Sequence, residues 1–167
     1  MGFDTFVPSN LDKIIRGFIN HITKSHMTFT FKILDKTFID AITPLVKKLN
    51  NDKVSESLLK ERIAEMFNQN YECAGVFDDD ILIGVCGLWY CTRHYSGRSV
   101  EPDHVFIAEG YRGKGLGHEF FSWIYDYVSK KGCESIELNT YVNNYSSHKF
   151  YYNQGFTILG YHFLKKL

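Results

Sequence analysis

The chain has little of what marks several common classes of protein. No apolar run approaches the ~18–20 residues of a membrane span. The start, Met-Gly-Phe-Asp-Thr-Phe, lacks the basic and apolar regions of a secretory leader. A cytoplasmic protein without a membrane partner is therefore expected. There are only four cysteines (Cys73, Cys86, Cys91 and Cys133), and no two form a CxxC pair, which fits reduced thiols rather than a disulfide framework. Seven histidines are scattered without an HExxH pattern or a His/Cys cluster, so no metal site is expected. Charge of one sign is also missing: 19 Lys+Arg stand against 19 Asp+Glu. That balance excludes the basic footprint of a nucleic-acid partner and gives no long-range field to steer a polycation.

What is present suits one self-sufficient domain. The 167 residues are 44% hydrophobic and 16% aromatic, with 14 Phe and 11 Tyr. A chain of this length buries enough surface for its own core, and its aromatics suit a core, a lined cleft, or both. Residues 1–26 read as an N-terminal helical extension. Ser9 stands at a helix start, and Leu11, Ile14, Ile15, Phe18, Ile19 and Ile22 share one face. Residues 27–167 read as the main domain. Strands are expected at 28–34, 71–77, 81–91, 100–108, 135–140 and 156–164, from alternation and β-branched or aromatic content. Helices are expected at 38–50, 55–68, 115–131 and 146–153, from apolar residues recurring at helical spacing. Pro44 inside the first of these predicts either a start capped by Thr43 or a kink. Pro102 places its strand at an edge or an irregularity. Asp78-Asp79-Asp80 reads as a solvated hairpin turn. Strands with helices on both faces imply an α/β (α+β) fold built on a mixed sheet.

The chemistry is concentrated in Ile107-Ala-Glu-Gly-Tyr-Arg112-Gly113-Lys114-Gly115-Leu116-Gly117. It passes from a strand through a glycine-rich turn into a helix start, where free N–H groups and the positive end of the helix dipole suit a phosphate. Arg112 and Lys114 add positive charge. The turn is not a Walker A loop, because Ala108 stands where its first glycine belongs and Gly115 where Ser or Thr belongs. Nor is it a dinucleotide fingerprint, because His118 or Phe120 falls at the last glycine position.

Arg112-Gly-Lys-Gly115-Leu-Gly117 resembles the (Gln/Arg)-x-x-Gly-x-(Gly/Ala) signature of the GNAT superfamily of N-acetyltransferases. Asn144-Tyr-Ser-Ser147-His-Lys-Phe150-Tyr151-Tyr-Asn-Gln-Gly155-Phe156 is similar to a second stretch of the same superfamily, with Ser147 where Ala is usual. The resemblance covers about residues 28–167. It implies the GNAT fold: a central, mostly antiparallel mixed sheet of six to seven strands, flanked by helices, whose splayed parallel pair holds acetyl-CoA. The implied cofactor-binding residues are Phe106, Ile107 and Ala108 on the strand, Arg112, Gly113, Lys114, Gly115, Leu116 and Gly117 in the turn, and Asn144 and Tyr151 beyond it. A family-like bulge would aim one backbone N–H at the thioester carbonyl. Tyr151 matches the tyrosine that protonates the leaving thiolate.

The acceptor amine must lose a proton before attack. Glu101 matches the position of a glutamate base in some members, and Asp103, two residues along, shares its face; either carboxylate can serve. His104 would point to the other face of a regular strand. The segment 90–104 is loosely similar in layout to the diamine and polyamine branch, so Trp89, Tyr90, Tyr95 and Asp103 are the expected contacts of a small cationic acceptor. The expected function is direct acetyl transfer to the primary amine of a small molecule through a ternary complex. No acyl-enzyme is expected, since no Cys or Ser sits beside a recognisable base in the matched motifs. A protein, peptide-lysine or N-terminal acetyltransferase is the alternative, and a non-catalytic acyl-CoA sensor the second. The resemblance is also compatible with a homodimer.

Overall fold

A computed structural model describes residues 29–167. The extension expected at 1–26 lies outside the described residues. Five strands form one sheet in the order β1-β2-β3-β4-β5. They are β1 (Phe29–Leu34), β2 (Tyr71–Asp78), β3 (Ile81–Arg93), β4 (Gly97–Ile107) and β5 (Ser135–Ile136). The first three pairings are antiparallel, and only β4 with β5 is parallel. Helices α1 (Ile39–Leu49) and α2 (Glu56–Met66) follow β1, α3 (Leu116–Lys130) follows β4, and α4 (Tyr145–Asn153) follows β5. Among the described residues no helix is long and apolar enough to cross a membrane, and no group of His, Cys, Asp and Glu is arranged to hold a metal ion.

The two faces of the sheet carry separate cores. Ile42, Leu45 and Val46 of α1 and Leu59 and Ile63 of α2 pack with Cys73, Phe77, Val85 and Phe106 on one face. Leu116, Phe120, Phe121, Ile124 and Val128 of α3 form a stripe at helical spacing and pack on Val76, Cys86, Leu88 and Val100 on the other. Ser55 caps α2, its Oγ accepting from the Leu58 N–H at 3.3 Å. Pro44 neither starts nor follows a capped start: α1 is under way from Ile39, and the Thr43 hydroxyl donates back to the Ile39 carbonyl at 2.6 Å. The Asp78–Asp80 turn closes a two-residue hairpin, with Asp78 opposite Ile81 and Asp79 at φ 50°.

Three expectations are corrected. The segment between the strands expected at 81–91 and 100–108, read from its polar residues as a loop, is mostly strand, because β3 runs to Arg93 and β4 begins at Gly97. The strand at 135–140 shortens to Ser135–Ile136. The strand at 156–164 is absent, which leaves five strands rather than six or seven. Alternation in a sequence marks residues able to form a strand, but a strand exists only where a neighbour accepts its hydrogen bonds. Past Ile136 that neighbour is missing, and Ile158, Leu159, Tyr161, Phe163 and Leu164 are exposed.

Phe120 is fully buried and stacks on Phe31 of β1 with ring centroids 5.7 Å apart. Phe120→Ala is expected to cost about 3–5 kcal/mol, read as a lowered midpoint in urea denaturation. An unchanged midpoint would show that this contact does not join α3 to the sheet.

Candidate active site

The site is built around a parting in the sheet. β4 pairs with β5 only at Ser99↔Ser135 and Val100↔Ile136. The Glu137 N–H then donates to the Val100 carbonyl at 3.0 Å, the last backbone bond between the two segments. Beyond it, the edge of β4 has no strand neighbour. Pro102 lies two residues past Val100, so its nitrogen faces that open edge and no ladder bond is lost. Further on, the Ile107 carbonyl accepts from Arg112 Nε at 2.6 Å.

The strand is also irregular here. Val85 pairs with Phe106 and Gly87 with Asp103, so His104 and Val105 together face the single residue Cys86. This is a β-bulge, and His104 sits in it at φ 36°. The bulge expected from the resemblance is therefore present, and it changes the direction of His104. A regular strand would turn its ring away from Asp103. Instead, His104 Nδ1 is 3.4 Å from Asp103 Oδ2 and Nε2 is 2.9 Å from the Tyr71 hydroxyl.

The glycine-rich turn opens beside the parting. Gly113 and Gly115 have φ 72° and 89°, and no atom lies within 4 Å of where a side chain would begin at either. Gly115 caps α3 without a side-chain hydrogen bond, so no capping side chain covers the first N–H groups of the helix. These residues fit a pyrophosphate. Gly117 serves packing instead. A methyl there would come within 3.3 Å of the Phe150 ring, so its absence permits α3 and α4 to approach closely. Arg112 folds over the Phe106 ring at 5.1 Å, and Lys114 Nζ donates to the Gly110 carbonyl at 2.9 Å. Both cations stay at the rim of the turn, with Leu116 buried beneath it.

Beyond the turn, Asn144 caps α4, its Oδ1 accepting from the Ser147 N–H at 3.3 Å. Tyr151 packs against Phe121, Phe150 and Phe156, in the cluster that contains Cys86 and Val105. Burial pushes its phenol above the ordinary range, so it keeps its proton at neutral pH.

On the opposite face stand the carboxylates. Glu101 and Asp103 do share a face with Trp89. Trp89 Nε1 donates to Asp103 Oδ2 at 3.3 Å, and the His104 N–H to Oδ1 at 2.7 Å. The His104 side chain above all, with these bonds, lowers the Asp103 carboxyl to about 2. Glu101 accepts from Arg93 Nη2 at 3.1 Å and from Asn139 Nδ2 at 2.6 Å. Arg93 Nε lies 3.1 Å from Glu137 as an ion pair, without the direction of a hydrogen bond. Glu137 also accepts from the Tyr95 hydroxyl at 2.7 Å and from Ser96 Oγ at 2.5 Å. Trp89, Tyr95, Glu101 and Asp103 thus line one side of the sheet.

Tyr90 is separated from them. Successive residues of a strand face opposite ways, and its hydroxyl donates to Glu72 at 2.8 Å among Tyr127 and Lys131, near α3. The buried thiols are not nucleophiles: burial raises Cys73 to about 12 and Cys86 well above its usual range.

Sequence reasoning missed Arg93, Glu137 and Tyr71 and set His104 aside. One signal was available. Gly87 sits inside a strand pattern, and such a glycine marks a bulge or a close approach. A methyl at Gly87 would collide with His104 Cε1.

Comparison with known proteins points the same way. A model of the acetyltransferase (GNAT) family matches residues 39–156. No curated protein matches the sequence. Among solved structures, the chain is similar to the aminoglycoside N-acetyltransferase AAC(6')-Iy in complex with CoA, with 15% identity and TM-score 0.73 over 87% of this chain and 98% of that one. It is also similar to a ribosomal-protein-alanine N-acetyltransferase from Brucella melitensis biovar Abortus 2308, with 16% identity and TM-score 0.71 over 84% and 99%. A third is an aminoglycoside acetyltransferase from an uncultured soil metagenomic sample, in complex with trehalose, with 16% identity and TM-score 0.70 over 83% and 96%.

Gly115→Val would place a branched side chain over the open start of α3 at a positive φ. Acetyl-CoA affinity measured by calorimetry is expected to fall at least about tenfold, by roughly 1.4 kcal/mol or more. Wild-type affinity would remove the turn from the binding site.

Proposed function

The chain belongs to the GNAT acetyltransferase family and uses acetyl-CoA, and from that premise we propose that it transfers the acetyl group directly to the primary amine of a small molecule. The observation that carries this reading is the charge of the face beyond the parting. Among the described residues, Glu101 and Glu137 share Arg93, and Asp103 lies against His104. The remaining negative charge suits an ammonium group, and the Trp89 ring beside Asp103 offers a cation–π surface. At about 2 the Asp103 carboxyl stays ionised throughout the working range. It serves as a counter-ion to the acceptor, and Glu101, anchored by Arg93 and Asn139, closes the far end.

The remaining roles follow from position. Gly113, Gly115 and the first N–H groups of α3 hold the pyrophosphate of the acetyl donor. At the open edge of β4, Phe106 and Ile107 offer backbone groups to its arm; Ala108 does not, because its N–H donates to the Ile83 carbonyl and its own carbonyl accepts from the Tyr111 N–H. Bound there, the donor supplies an activated acyl carbon. Tyr151 approaches from the α3–α4 side with its proton retained, and gives that proton to the departing sulfur. Because the buried thiols are protonated, the amine attacks directly and no acyl-enzyme forms.

Release of CoA thiol would be followed across putrescine, spermidine, free lysine, an aminoglycoside and a lysine-rich peptide. Turnover on a free amine is expected, and turnover on the peptide alone would overturn the small-molecule reading. In the same assay Tyr151→Phe is expected to lower kcat by about tenfold or more while acetyl-CoA affinity holds. Unchanged kcat would exclude Tyr151 as the acid.

A further inference from the structure

The carboxylates just described leave the proton of the acceptor amine without an evident destination. Asp103 is already held by Trp89 Nε1 and by the His104 N–H. Glu101 is held by Arg93 and Asn139. One group on this face is a better recipient, and several features of the fold converge on it. We propose that His104 is the base: the ammonium of the bound acceptor gives its proton to His104 Nδ1, and Asp103 holds the imidazolium that results. The inference rests on the amine-acetyltransferase reading.

The first argument is backbone strain. His104 is a non-glycine residue at φ 36°, a strained conformation that persists only where the surroundings impose it. The second is space. Gly87, across the bulge, leaves the volume that the ring fills, and any side chain there would strike Cε1. Gly inside a strand weakens it, so sequence and backbone both give up stability to seat this imidazole. The third is polarity. Nε2 meets the Tyr71 hydroxyl at 2.9 Å and Nδ1 faces Asp103 at 3.4 Å. With Nε2 donating to Tyr71, Nδ1 is the accepting nitrogen, and a proton taken there lies against the Asp103 carboxylate. Trp89 Nε1 and the His104 N–H fix the carboxylate in that position.

The titratable groups around the ring favour this assignment. From β4 comes Asp103, from β2 the Tyr71 phenol and the Cys73 thiol, and from β3 the Cys86 thiol. Burial drives Tyr71 upward, so it remains a neutral partner. The α2 side contributes Phe67, edge-on to Tyr71 with centroids 5.3 Å apart. Asp103 is the one ionised group of this set, and it lies against Nδ1. The side chain of His104 is 9% exposed and that of Asp103 55%, so the acceptor meets the carboxylate first and the imidazole just behind it. The proton balance is simple. The ammonium N–H bond breaks, an Nδ1–H bond forms, and the freed lone pair on the amine is available for attack. The proton later returns to solvent.

The test compares wild type with His104→Gln on whichever acceptor of the amine and peptide panel turns over fastest. His104→Gln is expected to lower kcat about a hundredfold and to abolish the acid limb of the kcat–pH profile, with acetyl-CoA affinity retained. Wild-type kcat with an unmoved acid limb would overturn the proposal. If His104→Gln loses acetyl-CoA affinity through the bulge, Tyr71→Phe replaces it. That variant removes only the oxygen that stabilises the imidazolium at Nε2, so the acid limb is expected to move to lower pH, and an unmoved limb overturns the proposal. If only the peptide is acetylated, the small-molecule reading fails while His104 is tested on the lysine ammonium. If wild type acetylates nothing, the amine reading fails, and His104 is tested on acetyl-CoA hydrolysis by water. A slower rate in His104→Gln then supports it as a base, and equal rates overturn it.

Discussion

Two paired residues join β4 to β5, and the organisation of the site follows from how soon that pairing stops. A buried backbone cannot leave its N–H and C=O groups unsatisfied without cost. A strand that parts from its neighbour therefore needs other partners along the freed edge. Some are internal: Arg112 reaches back to Ile107, Pro102 has no N–H to satisfy, and Asp103 accepts the His104 N–H. The rest of the edge is available to an extended ligand arm. The turn that follows β4 leads directly into the start of α3, so the parting and the pyrophosphate cradle lie at the same end of one strand.

The same parting separates two chemical environments. On the α3–α4 side, aromatic rings surround Tyr151 and keep its phenol protonated. On the α1–α2 side, Glu101 and Glu137 gather around Arg93, and Asp103 lies against His104. Donating and accepting groups therefore stand on opposite faces of the sheet, with the bulge between them. In the proposed reaction the amine would enter from the acidic side and the thiol would leave toward the aromatic side, without competing for space. The arrangement needs no field from the whole protein. The net charge is zero, and the local imbalance arises from a few side chains at one end of the sheet.

The elements were legible where local pattern decides them. The α3 stripe, the β2–β3 hairpin and the Gly-rich turn are all written in residue spacing, because a helix face or a tight turn depends on near neighbours in the chain. The final strand was misread for the opposite reason. Residues 156–164 alternate well, yet pairing depends on a neighbour distant in sequence, and the short β5 supplies none. Tyr90 was misassigned because adjacency in sequence was taken for adjacency in space, whereas a strand sends neighbours to opposite faces.

The sequence alone carried the family resemblance and singled out the glycine-rich turn, Tyr151, Glu101 and Asp103 as candidates, since these rest on contiguous motifs and fixed spacings. Tertiary structure alone decided what those carboxylates hold. Arg93 and Asn139 reach Glu101 from separate segments, and Tyr71 meets His104 from 33 residues away. It also decided the direction of His104. A period of two assigns faces only to a regular strand, and one extra residue in the ladder reverses the assignment beyond it. Nothing in the residues of β4 by themselves states where that extra residue falls. Its position is fixed by the register of β4 against Val85 and Gly87, and register belongs to the sheet rather than to the strand.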